Sequence, residues 1–242
     1  KEYELMIDVV KELVTHYPKD TYVLTLAGIY SELGDTKKQL ALTEVLYEKG
    51  LMGTYSNIVN LANLYLLHGL PYKAASVLEK EMNAGVVEAN DRNLRLISLA
   101  WYQAREDEKA IPPLERAAAM TNDGELYVRL AQANLNLEHW AEAAAAVQKA
   151  LQLGGLKRND TANIMLGMAL FNQKQLEQAR RAFERAASDS RSQRAATQWI
   201  AYVDSEMRRR EVMAQDLPEV QPKERDELLD VIEEKEADTG ES

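Results

Sequence analysis

The chain has 242 residues, an apolar share of 46 % and a net charge of −10, from 29 Lys plus Arg against 39 Asp plus Glu. That apolar share excludes disorder throughout, and the acidic balance argues against DNA or RNA as the main ligand, since both need phosphate-neutralising cations. Cysteine is absent, which removes disulfide frameworks, thiol catalysis and zinc–thiolate sites from consideration.

Glycine and proline are scarce, at 11 and 6 residues, so helices are favoured over a chain of hairpins. Residues 2–16 read as the first helix, with Leu5, Val9, Val10, Leu13 and Val14 as one apolar stripe and Tyr17-Pro18 as its stop. No partner helix precedes it, so residues 1–19 are expected to be the second helix of a truncated upstream repeat. The start at Lys1 then predicts a processed product or an excised piece, with any signal peptide lying upstream.

Next come segments that repeat. Leu26-Ala27-Gly28-Ile29-Tyr30, Leu61-Ala62-Asn63-Leu64-Tyr65, Leu130-Ala131-Gln132-Ala133-Asn134 and Leu166-Gly167-Met168-Ala169-Leu170 align, and Ile97-Ser98-Leu99-Ala100-Trp101 fills the gap between the second and third of them. Their second residues are spaced by 35, 36, 33 and 36. Twelve residues further on stand Ala74, Ala110, Ala143 and Ala179, with Gln39 in the first copy. Seven beyond those come Ala117, Ala150 and Ala186, with Leu46 and Glu81 as departures. Each unit therefore reads as helix, turn and helix, with the turns at Gly34-Asp35, Gly69-Leu70-Pro71 and Lys174-Gln175. The small residue of one helix and the alanine of the next let two backbones approach closely. Neither helix can bury its stripe alone, so units must stack.

The uncharged stretch from Gly50 to Tyr72 is long enough to span a bilayer. Its asparagines, glycines and proline make insertion costly, and a loop followed by a helix is expected instead. Residues 191–212 read as a further amphipathic helix, with Ala195, Trp199, Ile200 and Val203 inward and Arg191, Arg194, Arg208, Arg209 and Arg210 toward water. Such a helix caps the last apolar face of a stack. Residues 216–242 carry eleven Asp or Glu against three Lys or Arg, and the composition of an acidic, flexible tail. Within it Leu228, Leu229 and Ile232 allow a short helix, either solvated or docked into a groove of this chain or of a neighbour.

The pattern of Leu, small residue, aromatic, Ala and Ala over residues 20–190 resembles the tetratricopeptide repeat (TPR) family. The fit is best at Leu130, Ala131, Trp140, Ala143 and Ala150, and at Leu166, Gly167, Ala179, Phe183 and Ala186. The resemblance implies an all-α, right-handed α-solenoid of about five helix pairs with a C-terminal capping helix. Its groove would be lined by the first helix of each pair.

Residues left over once the core is assigned face that groove: Asn63, Arg92, Arg95, Tyr102, Gln103, Gln132, Asn136, Met168 and Asn172. Amides and an aromatic can hold an extended backbone, and Arg can pair with a carboxylate. Some family members grip a C-terminal carboxylate with a Lys–Asn clamp; Asn63 matches one position, but the lysines are missing, so that activity is not carried over. Trp101, Trp140 and Trp199 lie within apolar stripes, where packing outweighs ligand stacking.

No catalytic constellation emerges. His16, His68 and His139 fall on three different units, no Gly-rich phosphate loop or nucleophile elbow occurs, and no cofactor or metal is expected.

A narrower similarity rests on Leu26 to Gly34 (LAGIYSELG), Leu61 to Ala75 (LANLYLLHGLPYKAA), Gly154 to Arg158 (GGLKR), Gly167 to Gln173 (GMALFNQ) and Gln198-Trp199-Ile200. These strings resemble tetratricopeptide proteins encoded beside TonB–ExbB–ExbD genes in marine gammaproteobacteria. That resemblance implies a periplasmic adaptor, accessory to TonB-dependent iron uptake, that binds a protein partner such as a TonB-system component. A cytoplasmic site, a regulatory repeat domain cut from a larger enzyme, and a self-assembling scaffold or homodimer stay open as alternatives. Neither nucleic acid nor direct membrane insertion is expected.

Overall fold

A computed structural model of the chain describes residues 2–17, 19–215 and 230–231. Pro18 and most of the acidic segment, including Leu228, Leu229 and Ile232, lie outside the described residues, so the expected tail and its short helix do too.

Among the described residues there are twelve α-helices and no strand, an all-α repeat fold. The chain divides into two compact units at Leu137/Glu138. The first holds α1 (Glu2–His16), α2 (Asp20–Glu32), α3 (Thr36–Glu48), α4 (Tyr55–Leu67), α5 (Pro71–Asn83), α6 (Asp91–Gln103), α7 (Asp107–Thr121) and α8 (Gly124–Asn136). The second holds α9 (Trp140–Leu153), α10 (Asn159–Asn172), α11 (Leu176–Ala187) and α12 (Gln193–Gln215). Within each unit, successive helices pack on one another.

The helix starts have local causes. The side chains of Asp35, Thr54, Asn90 and Asp123 accept hydrogen bonds from the backbone N–H of Lys38, Asn57, Asn93 and Glu125. Each satisfies one of the N–H groups that a helix leaves open at its first turn. Within the units, the chain reverses between the two helices of a pair through a residue with left-handed φ at Gly34, Gly69, Arg105 and Lys174, and Glu138, at the start of the second unit, also has positive φ. Those five positions each follow the repeat's small residue by seven. Glycine takes that conformation without steric cost, and Arg, Glu and Lys do not.

Packing follows the expected alternation of small and large. Ala62, Ala74, Ala117, Ala131, Ala143, Ala150, Ala179 and Ala186 are all fully buried. Around Ile58, Leu61, Leu78 and Trp101 runs a continuous core from α3 to α7, and each fully buried Leu or Ile there stabilises by about 1.5–3 kcal/mol. Glu81, which breaks the alanine pattern, is explained by Tyr47: its hydroxyl donates to Glu81 Oε1 at 2.8 Å, across 34 residues of sequence.

In the second unit a buried carboxylate joins two loops. Asp160, 3 % exposed, accepts from Arg158 Nε at 2.9 Å and Nη2 at 2.6 Å and from Ser192 Oγ at 2.6 Å. Arg158 holds this carboxyl well below the ordinary carboxylate range, with Ser192 adding to the effect and burial opposing it.

Two expectations at the ends need correction. In α1, Val10 is buried while Leu5 is 69 % and Val9 60 % exposed, because α1 packs on α2 and buries only the side carrying Ile7, Val10 and Val14. In α12 the inward positions are Ala196 and Val203, both fully buried, whereas Ala195 is exposed. The reason is phase: positions 196 and 203 are seven apart, two helical turns, and so share the face toward α11. The arginines also divide. Arg191 is tied to Asp189 at 2.6 Å, and the Arg210 side chain keeps only 13 % of its exposure.

Candidate functional site

α6, α7 and α8 enclose a pocket of about 290 Å³. Its floor is apolar: Ala110 and Leu114 from α7 and Leu126 and Ala133 from α8, all buried. Small side chains at Ser98 of α6, Ala110 of α7 and Ala133 of α8 leave this space open. Leu99 and Tyr102 form a wall that is still 37 % and 39 % exposed. Arg95, Arg129 and Gln132 supply the polar rim.

The rim is not uniform. Arg95 Nη1 donates to Asp123 Oδ2 at 2.9 Å, and its Nε lies 3.6 Å from Asp91 Oδ2, buried and without a hydrogen-bond partner. Gln132 Nε2 donates to Asn136 Oδ1 at 2.9 Å, and Asn136 Nδ2 donates to Asp107 Oδ2 at 3.1 Å. These contacts fix two of the three rim side chains, Arg95 and Gln132, in place. Arg129 is exposed and makes no ion pair or hydrogen bond among the described residues. A guanidinium in that state loses little by turning to a ligand and gains a charge-assisted, potentially bidentate bond to a carboxylate.

Of the nine residues expected in the groove, Arg95, Tyr102 and Gln132 line this pocket, and Asn136 joins it through Gln132. Arg92 and Gln103 are exposed on α6 outside the lining, as is Asn63 on α4. Met168 and Asn172 belong to the second unit, where Asn172 Nδ2 donates to the Met168 carbonyl at 2.9 Å. Sequence reasoning passed over Arg129, Leu99 and Ser98. Arg129 precedes Gln132 by three and Asn136 by seven, so helical spacing carried its signal.

Trp101 is core, 2 % exposed, and meets the Tyr72 ring edge-on at 5.2 Å. Trp199 lies flat on the buried Phe183 ring at 5.2 Å, with 6° between the planes. Among the described residues, no group of His, Asp and Glu could hold a metal ion, and no helix is long and apolar enough to cross a membrane.

Fold and pocket together define a class, an all-α protein of repeated helix pairs with an apolar, Arg-rimmed recess. Residues 161–188, covering most of α10 and α11, match the tetratricopeptide repeat. The fold is similar to that of MamA, at 19 % identity and a TM-score of 0.55 over 73 % of this chain and 94 % of that one. It is also similar to YrrB, a TPR protein with an unusual peptide-binding site, at 16 % identity and a TM-score of 0.57 over 78 % and 95 %. No curated protein matches the sequence.

Proposed function

We propose that this chain is a non-catalytic scaffold that binds a peptide or protein partner, anchored at the pocket between α6, α7 and α8. The observation that carries the reading is a preformed apolar pocket with one unengaged cation, Arg129, on its rim. It fits a bulky apolar side chain with a carboxylate close by. Because Arg95, Gln132 and Asn136 are already held, little ordering entropy is lost on the scaffold side. The peptide-binding site named for YrrB, on a similar fold, supports a peptide as ligand class.

The finer reading is an accessory role in TonB-dependent iron transport, in the periplasm. Its support is the similarity of the LANLYLLHGLPYKAA, GGLKR and GMALFNQ strings to tetratricopeptide proteins encoded with that system. Crosslinked capture from native cell envelopes tests both levels, with wild type beside Arg129→Glu. Recovery of TonB-system components by wild type alone supports both. Recovery of some other partner by wild type alone keeps the pocket and removes the TonB role. Equal recovery by both proteins removes the pocket.

Self-association is a second reading, favoured by the exposed flank of α1 at Leu5, Val9 and Tyr17. A mass in solution that stays at one chain across a wide concentration range would eliminate it.

A further inference from the structure

We infer that the pocket between α6, α7 and α8 selects a tyrosine of the partner peptide, read at its tip by the Ser98 hydroxyl. The inference rests on the peptide-binding reading above and names the side chain that the site takes. Ser98 occupies the small position of the third repeat, where Ala27, Ala62 and Ala131 stand in three others. Close helix packing there asks only for small size, which alanine supplies. The hydroxyl is therefore surplus to the repeat, and burying it unpaired is costly.

Ser98 is 4 % exposed and lines the pocket, and its hydroxyl makes no hydrogen bond among the described residues. A buried hydroxyl inside a helix can satisfy itself on the carbonyl four residues back. Thr43, Thr121 and Thr197 do so in this chain, at 2.6, 3.0 and 2.8 Å. Ser98 does not, so its donor and its acceptor are both left for whatever enters the pocket.

The walls decide which side chain that is. On α6, Arg95, Ser98, Leu99 and Tyr102 share one face at spacings of three and four. An entering side chain meets charge at the rim, then an apolar recess, and one buried polar group within it. Tyrosine has that order, with a flat apolar ring and a hydroxyl at its far end. Phenylalanine would leave Ser98 unpaired, and serine or threonine would leave most of the 290 Å³ empty. Tryptophan carries its N–H on the flank of a larger ring instead of at the tip. The lining holds two arginines and no acid, so the tyrosine belongs in an acidic stretch that can reach Arg129.

Fluorescence anisotropy on the full chain tests this with labelled pentapeptides of the form Glu-Glu-X-Glu-Glu, carrying each natural residue at X. Wild type is compared with Ser98→Ala and Arg129→Glu. The Tyr peptide should bind tightest, about five- to tenfold better than the Phe peptide. Ser98→Ala should bring these two to one affinity by weakening Tyr alone, and Arg129→Glu should weaken every peptide without changing their order. Ser98→Ala should fold, because alanine holds this position in three other repeats. Equal binding of Tyr and Phe overturns the inference, as does a Tyr preference that survives Ser98→Ala or a higher affinity for another residue. In each of those cases the peptide-binding reading stands so long as Arg129→Glu still weakens binding. Peptides indifferent to Arg129→Glu remove the pocket as the site, and the inference with it. A set in which no peptide binds also overturns the inference, and partner capture with Arg129→Glu then decides the scaffold reading alone.

Discussion

A methyl group added at Gly167 would sit 2.5 Å from Phe183 Cε1. That ring cannot retreat, because it is fully buried and lies flat against Trp199. The glycine on α10 and the aromatics of α11 and α12 therefore set how closely three helices approach. Two effects oppose each other in Gly167→Ala. Helix propensity gains about 1 kcal/mol, and overpacking costs about 1–3 kcal/mol. A net loss of about 1 kcal/mol or more is expected in urea unfolding, recovered in part by Phe183→Leu in the same chain. A stabilised Gly167→Ala would mean that the contact is loose.

The repeated turn predicts an asymmetry. Arg105 holds the left-handed conformation that Gly34 and Gly69 hold in the first two repeats. The strain on a residue with a Cβ is about 1–2 kcal/mol, and the entropic cost of glycine in the unfolded chain is about 0.5–1 kcal/mol. Arg105→Gly should stabilise by about 0.5–1 kcal/mol and Gly34→Ala should destabilise by a similar amount, both measured as shifts in denaturation midpoint.

Asp160 predicts acid sensitivity. Its folded pKa lies below the ordinary value, so its contribution is fully present above about pH 4 and is lost as pH falls toward the folded value. Wild type should lose stability from about pH 4 downward. Asp160→Asn should start about 1.5–3 kcal/mol weaker at neutral pH, from the loss of charge-assisted bonds to Arg158 and Ser192, and should decline less over the acid range. Parallel declines in urea series at three pH values would remove Asp160 as the source.

Binding and stability should separate at Arg129. It is exposed and makes no ion pair or hydrogen bond among the described residues, so Arg129→Glu should shift stability by no more than about 0.5 kcal/mol while abolishing partner capture. A variant that unfolds early would assign Arg129 a structural role instead.

The repeat was legible because close helix approach leaves few options. Ala74, Ala110, Ala143 and Ala179 are all buried, where a small side chain favours close helix packing, so the period survives in the sequence. The pocket was only half legible. Tyr102 and Gln132 stood out as polar or aromatic residues on otherwise apolar helices. Arg129 looked like any solvated charge until α6 and α8 brought it into one pocket lining with Leu99. At the ends, the apolar pattern of α1 runs around more of the helix than α2 can cover. Leu5 and Val9 were thus assigned inward on pattern alone and are exposed. A stripe names the apolar side of a helix but not how much of it finds a partner.

The most direct test of the binding account places a photoactivatable side chain at Tyr102, on the pocket wall, or at Arg116, exposed on α7 outside the lining. The account predicts that a native partner crosslinks from position 102 and not from 116, and that adding Arg129→Glu removes the crosslink. Equal labelling from both positions, or a crosslink at 102 indifferent to Arg129, would contradict it.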